Sequence, residues 1–291
     1  MVSFQPINLR GLRCIVGKIS MEKLGLLGFS EVDRTKDPTY YVNYLDNLNE
    51  SEWFQGYKDR GFARLKIQES NHILDVGCGV GKDAQVLAKK VGKSGRVVGI
   101  DSSETMIAEA RQRTKNLDLP LEFYLSDAHI IDFPDNSFDV CRADRVLIYL
   151  AEPLKAITEM VRVARSGARI DISEPDMATL VVDMPNRELT RKILNVSCDN
   201  IPNGWLAHQL PTIFKDLGLK NITVNPETYI VKDFNMASHS FDLTKSAKYA
   251  QENGIVLAEE AEEWLAYLEE ASYAGRFFSA ITGFCVCGHK P

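Results

Sequence analysis

The stretch Asp75-Val76-Gly77-Cys78-Gly79-Val80-Gly81 constrains this chain more than any other. An apolar run, His72 to Val76, leads into it, and Ala84, Leu87, Ala88 and Val91 follow at i, i+3, i+4 and i+7. That spacing predicts a strand, a tight turn and a helix in immediate succession. Glycines in such a turn let a ligand approach the backbone, and the helix start beyond it offers free N–H groups and a positive dipole. A triphosphate loop does not fit, because Gly81-Lys82 is followed by Asp83 instead of Ser or Thr and Val76 occupies the place of its first glycine. A dinucleotide loop fits poorly, since the third glycine comes one place early. Asp75 would also repel a pyrophosphate, whereas its carboxylate suits an ammonium group. The turn points to a zwitterionic ligand.

Around this turn, residues 72–175 alternate short apolar runs with helical periodicity, which predicts an α/β domain with a mainly parallel sheet. Further strands are expected at Arg96 to Ile100, Leu121 to Leu125, Phe138 to Cys141 and Ala168 to Ser173. Ser102 is expected to cap the helix after the second strand, and Pro153 to open the one after the fourth. Ile222 to Val231 and Phe277 to Gly288, rich in β-branched and aromatic residues, read as an antiparallel closing pair that completes seven strands. Three stretches stand outside the alternation: an N-terminal extension with aromatic lid helices over 1–68, and insertions into the 69–291 core at 176–204 and 232–275. The acid-rich run from Glu259 to Glu270 is read as the solvated face of a helix whose stripe is Trp264, Leu265, Leu268 and Ala271.

The 291 residues carry 45% apolar and 25% charged side chains, ordinary globular composition with no run apolar enough to span a bilayer. A net charge of −6 argues against a nucleic-acid partner. Six cysteines without a CxxC spacing read as reduced thiols in a cytoplasmic protein. Cys285 and Cys287 share a strand face but would need converging ligands to hold a metal, so no metal is expected. The first 21 residues carry Arg10, Arg13 and Lys18 and no acid, and are read as a short basic extension.

Two more acids fall at strand ends. Asp101, after the second strand, is placed to accept from both hydroxyls of a ribose, and Asp127, after the third, from an exocyclic adenine amine. Open α/β sheets bind ligands along that edge, so three acids at three successive strand ends count for more than any one of them. With Ile73 to Gly81, Val98 to Ser103, Ser126 to Ala128 and Phe138-Asp139 in hand, the chain resembles the class I S-adenosylmethionine-dependent methyltransferases. Within them it is most similar to the type 11 group that includes quinone-biosynthesis methyltransferases. The resemblance covers roughly half the chain. It departs from the family at Arg165-Ser-Gly-Ala168, where many relatives have a proline and two glycines.

The resemblance implies a Rossmann-like three-layer sandwich that binds S-adenosyl-L-methionine and releases S-adenosyl-L-homocysteine. Gly77 and Gly79 would pack on the methionine end and Asp75 support its amine, while Asp101 holds the ribose, Asp127 and Ala128 frame adenine, and Ser102 and Met106 line the adenosine. Ala143 would offer its carbonyl beside the sulfonium, and Tyr41 would touch the cofactor. The run Tyr40, Tyr41, Tyr44, Trp53, Phe54 and Tyr57 predicts an aromatic lid over an apolar acceptor. Methyl transfer needs no nucleophilic residue, although a base helps a hydroxyl or carbon acid. Candidates for the chemistry are His208, Tyr149 and Arg145, against plainer readings as a helix-edge histidine, a packing aromatic and a surface ion pair. The acceptor is expected to be a small, partly apolar metabolite. The alternatives are a protein that binds S-adenosylmethionine without transferring methyl and, more remotely, a nicotinamide dehydrogenase.

Overall fold

A computed structural model describes residues 25–291, so the basic extension read over residues 1–21, with Cys14, lies outside the described residues. Five parallel strands form the core: β1 (His72–Val76), β2 (Arg96–Asp101), β3 (Leu121–Leu125), β4 (Phe138–Asp144) and β5 (Ala164–Pro175). Three helices cover them: α3 (Lys82–Val91), α4 (Glu104–Thr114) and α5 (Pro153–Val163). Two helices precede this unit, α1 (Pro38–Glu50) and α2 (Glu52–Arg64).

The chain then adds β6 (Val181–Val182), α6 (Arg187–Asp199), α7 (Leu210–Asp216), β7 (Lys220–Val231), α8 (Phe234–Phe241), α9 (Leu243–Glu252), α10 (Ala258–Tyr273) and β8 (Ser279–His289). The strand order is β3-β2-β1-β4-β5-β8, and β7 pairs the other edge of β8. The expected antiparallel closing pair is therefore present. An eighth strand was not legible in the sequence: β6 pairs Ala280 and Ser279 of β8, just past Gly283, where the pairing with β5 ends. It continues the lane of β5, so the sheet has eight strands but the width of seven.

Burial follows the apolar pattern. Strands β1, β2 and β4 are buried on both faces, as parallel strands between helices must be. One core holds Leu74, Ile100, Ile157, Ile172 and Phe214, and the opposite face holds Ile73, Leu87, Val97 and Phe123. A further core joins the two expected insertions. Ile193 and Leu194 of α6 pack with Phe241, Ala247, Trp264 and Leu268 into a single helical cap. Trp264 Nε1 donates to Thr190 Oγ1 at 3.1 Å, so the largest side chain of that core has its polar atom paired. The cap of α4 is Ser103 rather than Ser102, with Ser103 Oγ accepting from Met106 N at 3.2 Å. Among the described residues, no helix is long and apolar enough to cross a membrane, and no cluster of three or more His, Cys, Asp or Glu is arranged to hold a metal.

Candidate active site

A cavity of about 340 Å³ lies along the C-terminal ends of the parallel strands, roofed by α1, α2 and the helical cap. Its first half is built from the ends of β1, β2 and β3. Gly77 and Gly79 adopt φ of +66° and +51°, the left-handed region where a side chain is strained. A Cβ at Gly77 would also stand 2.3 Å from Val146 Cγ2. The turn is pinned to the next strand: Gly79 N donates to Asp101 Oδ2 at 2.9 Å, and Ser103 N to Asp101 Oδ1 at 3.0 Å. Burial raises Asp101 above the usual carboxylate range despite those two donors. Asp75, Gly77, Gly79, Asp101, Ser102, Met106, Asp127 and Ala128 all line this half. Asp127 is the most open of the acids, and one of its oxygens accepts from both the backbone and ring nitrogens of His129.

The middle of the cavity is an ion network that sequence reasoning largely missed. Arg142, buried on β4, donates to Asp75 Oδ1 at 3.1 Å, to Asp83 Oδ2 at 2.9 Å and to Asp144 Oδ2 at 2.9 Å. Lys58 from α2 joins it, donating to Asp83 at 2.5 Å and Asp144 at 2.9 Å, and Tyr57 OH donates to Asp144 Oδ1 at 2.9 Å. Burial alone would raise Asp144, but Lys58, Arg142 and Arg145 hold it well below the usual carboxylate range. Asp75 behaves differently. Burial outweighs the attraction of Arg142 and Lys58 and lifts it to about 6. Its Oδ2 is buried without a partner among the described residues. A buried orphan acceptor beside a glycine cradle is what the ammonium of a bound amino-acid moiety would satisfy.

The second half lies over β5, β7 and β8 and carries Tyr44, Trp53, Phe54, Tyr149, Tyr229, Phe241 and Phe284. Trp53 stacks on Tyr57 with 5.4 Å between ring centroids, and its Nε1 donates to Thr228 O at 3.0 Å, tying α2 to β7. Arg60 and Arg64 of α2 clamp Glu227 of β7 at 2.7 and 2.9 Å. Two polar groups reach this half from the sheet. Arg145, in a left-handed conformation at φ +59°, lies over the Phe54 ring at 4.9 Å. Glu174, at the end of β5, is buried and uses Oε1 to accept from Val146 N at 2.9 Å and Leu147 N at 2.7 Å.

Three expected site residues lie elsewhere. Tyr41 is buried away from the cavity, its OH donating to Gly25 O at 3.1 Å, and Tyr44, one turn along α1, lines the cavity instead. Ala143 is an interior residue of β4, flanked by Val76 and Ile172, and does not line the cavity. Strand alternation gives that place to Arg142 and Asp144, a pattern of period two that could have been read from the sequence. His208 is also absent from the lining and instead pairs through Nδ1 with the buried Asp176. Tyr149 and Arg145 do line the cavity. Burial pushes the Tyr149 phenol well above its ordinary value, so it is no base near neutrality.

A parallel-to-antiparallel α/β sheet with an acid and a glycine cradle at the end of β1 defines the S-adenosylmethionine-binding Rossmann-like class. Comparison with known proteins agrees. Residues 67–271 match the family described as Methyltransferase domain. An uncharacterized 37.1 kDa protein in transposon TN4556 of Streptomyces fradiae is 37% identical over 246 residues, 84% of this chain and 70% of that protein. Methyltransferase GfsG of Streptomyces halstedii is 33% identical over 129 residues, and demethylmenaquinone methyltransferase of Listeria welshimeri 32% over 117. These alignments cover 42% and 39% of this chain, and span 46% and 50% of those curated relatives, about half their length. Among solved structures, the YcgJ protein of Bacillus subtilis superposes with a TM-score of 0.57 at 14% identity, over 81% of this chain and 98% of that one. The [4+2]-cyclase SpnF does so at 0.52 and 21%, over 84% of each chain. At these identities the structures attest the fold alone. The chain belongs to the methyltransferase-domain family, and its cofactor is S-adenosylmethionine.

Proposed function

We propose that the protein transfers a methyl group to a small, partly apolar metabolite that occupies the aromatic half of the cavity. The observation that carries this reading is the continuity of one cavity from Asp75, Gly79 and Asp101 to Tyr149, Tyr229 and Phe241. When bound, S-adenosylmethionine supplies a methyl group on a positively charged sulfur. The chain's own task is to hold an acceptor in line with it and to keep water out. On the cofactor side, Asp75 receives the ammonium, Gly77 and Gly79 give backbone access, and Asp101 and Asp127 accept from the nucleoside. On the acceptor side, α1, α2 and the helical cap close over an apolar wall. Arg145 offers a cation to an anionic group of the acceptor, and Tyr149 packs beside it.

Calorimetric titration with S-adenosylmethionine, followed by incubation with a metabolite extract and quantification of S-adenosylhomocysteine, tests the reading. Binding and release of S-adenosylhomocysteine support it. Binding with acceptor conversion but no S-adenosylhomocysteine would mark a rearrangement catalyst instead, and absence of binding would refute the assignment.

A further inference from the structure

We propose that Glu174 is the acid–base group for the acceptor, and that the acceptor is a flat, apolar molecule carrying a hydroxyl. The inference rests on the methyl-transfer reading above and adds the group that takes the acceptor's proton. Glu174 lines the cavity at 2% exposure. Its Oε1 accepts from two backbone N–H donors, whereas Oε2 is buried with no partner among the described residues. Leaving a carboxyl oxygen unpaired in a dry site costs free energy, which a ligand hydrogen bond would recover.

The register fixes which half of the cavity Glu174 serves. Asp75 on β1 lies opposite Arg142 on β4, and Asp144 on β4 lies opposite Ser173 on β5. Across the sheet from Asp75 and Arg142 the register reaches Asp171 on β5, which does not line the cavity, and Glu174 is the β5 carboxyl that does. It differs from Asp144 in having, among the described residues, no cation within hydrogen-bonding distance. The titratable groups that interact with it include Asp144 at the end of β4 and Tyr149 in the turn after it, and on the other side it pairs with Phe284 of β8. Burial lifts Glu174 to about 8, so near neutrality it exchanges a proton readily in either direction, as an acid–base catalyst must. Tyr44, Phe54, Tyr149 and Tyr229 supply the apolar walls for a flat acceptor. In the step, the acceptor O–H bond breaks, its proton passes to Oε2 of ionised Glu174, and the electron pair stays on the acceptor oxygen as the nucleophile.

The probe pair is 2-naphthol and naphthalene, measured with wild type and Glu174→Gln. Calorimetric titration with S-adenosylmethionine comes first: failure of wild type to bind it refutes the methyl-transfer reading itself. Given that binding, wild type should hold 2-naphthol at least 10-fold tighter than naphthalene and methylate it. Glu174→Gln should keep both affinities within 3-fold but lose at least 100-fold in turnover. Equal affinity of wild type for the two probes overturns the proposal, as does wild-type inertness toward bound 2-naphthol, or turnover by the Gln variant within 10-fold of wild type. The wild-type probe comparison decides the matter even if the variant does not fold.

Discussion

Arg142 holds one oxygen of Asp75, 3.1 Å from Nη1 to Oδ1, and leaves the other buried with no partner among the described residues. The pair thus neutralises Asp75 only in part, and burial keeps it at about 6. An ammonium ligand binds the ionised form, so affinity for S-adenosylmethionine should be at its plateau near pH 7.5 and fall as pH drops through 6. The limiting slope is about tenfold per pH unit for a single proton. Titration calorimetry from pH 5 to 7.5 checks this, and Asp75→Asn should lower affinity by about 10-fold or more and abolish the pH dependence.

Asp101 has two duties, which two substitutions separate. Each of its oxygens already accepts a backbone N–H, from Gly79 and Ser103, and keeps a lone pair for a ligand hydroxyl. Asp101→Asn retains one acceptor and should weaken cofactor binding by about 10-fold, the scale of one charge-assisted hydrogen bond. Asp101→Ala also releases the turn, so its thermal midpoint should fall as well. Binding isotherms and melting curves on the same two variants distinguish the effects.

The clamp between α2 and β7 should matter for stability. Glu227 is buried and takes both Arg60 and Arg64, and Arg64 is itself largely buried, with Nε and Nη2 unpartnered among the described residues. Removing the shared carboxylate strands that cation. Glu227→Ala is therefore expected to cost about 3 kcal/mol by denaturant unfolding. Lys93→Ala, which breaks the exposed pair with Asp118, should leave the unfolding midpoint unchanged.

The parts of the site that could be read from the sequence were those fixed by local rules. Gly77 and Gly79 sit at positive φ because the strand-to-helix turn requires it, and Asp75 and Asp101 sit at the cavity because strands end there. Side-chain direction was harder. On α1, Tyr41 and Tyr44 look equivalent in an aromatic run and both pack on Phe29, and only the seat of Tyr41 against Gly28, with its OH donating to Gly25 O, decides between them. Lys58 carried no local signal at all, and Glu174, at the end of β5, gave only the strand-end signal that Asp101 also gave. They become site residues through contacts with Asp83 and Val146, respectively 25 and 28 positions away in the chain.

His208 illustrates the same limit and gives a prediction. Its partner Asp176 is wholly buried and also accepts from Ala178 N at 3.1 Å, so the pair braces the start of the cap instead of facing the cavity. His208→Ala should lower the thermal midpoint by stranding a buried carboxylate while leaving S-adenosylmethionine affinity within about 3-fold of wild type, since it removes no cofactor contact. Calorimetry and melting on one preparation check both halves.

Glu174 makes stability depend on pH in a direction opposite to that of a paired carboxylate. Its ordinary value is 4.5, and burial raises it to about 8 in the folded chain. Between those values the folded state keeps a proton that the unfolded state has lost. The stabilising contribution is therefore complete below pH 4.5 and is lost as pH rises toward 8. Asp75 and Asp171 are raised to about 6 and act in part of the same window, so wild type must be compared with Glu174→Gln rather than read alone. The variant carries the other groups unchanged and cannot ionise at position 174. Its stability relative to wild type should grow by about 1.4 kcal/mol per pH unit from pH 5 and level off above 8. Urea unfolding of both proteins at half-unit pH intervals measures that slope, and a flat difference would mean that Glu174 is ionised in the folded chain throughout.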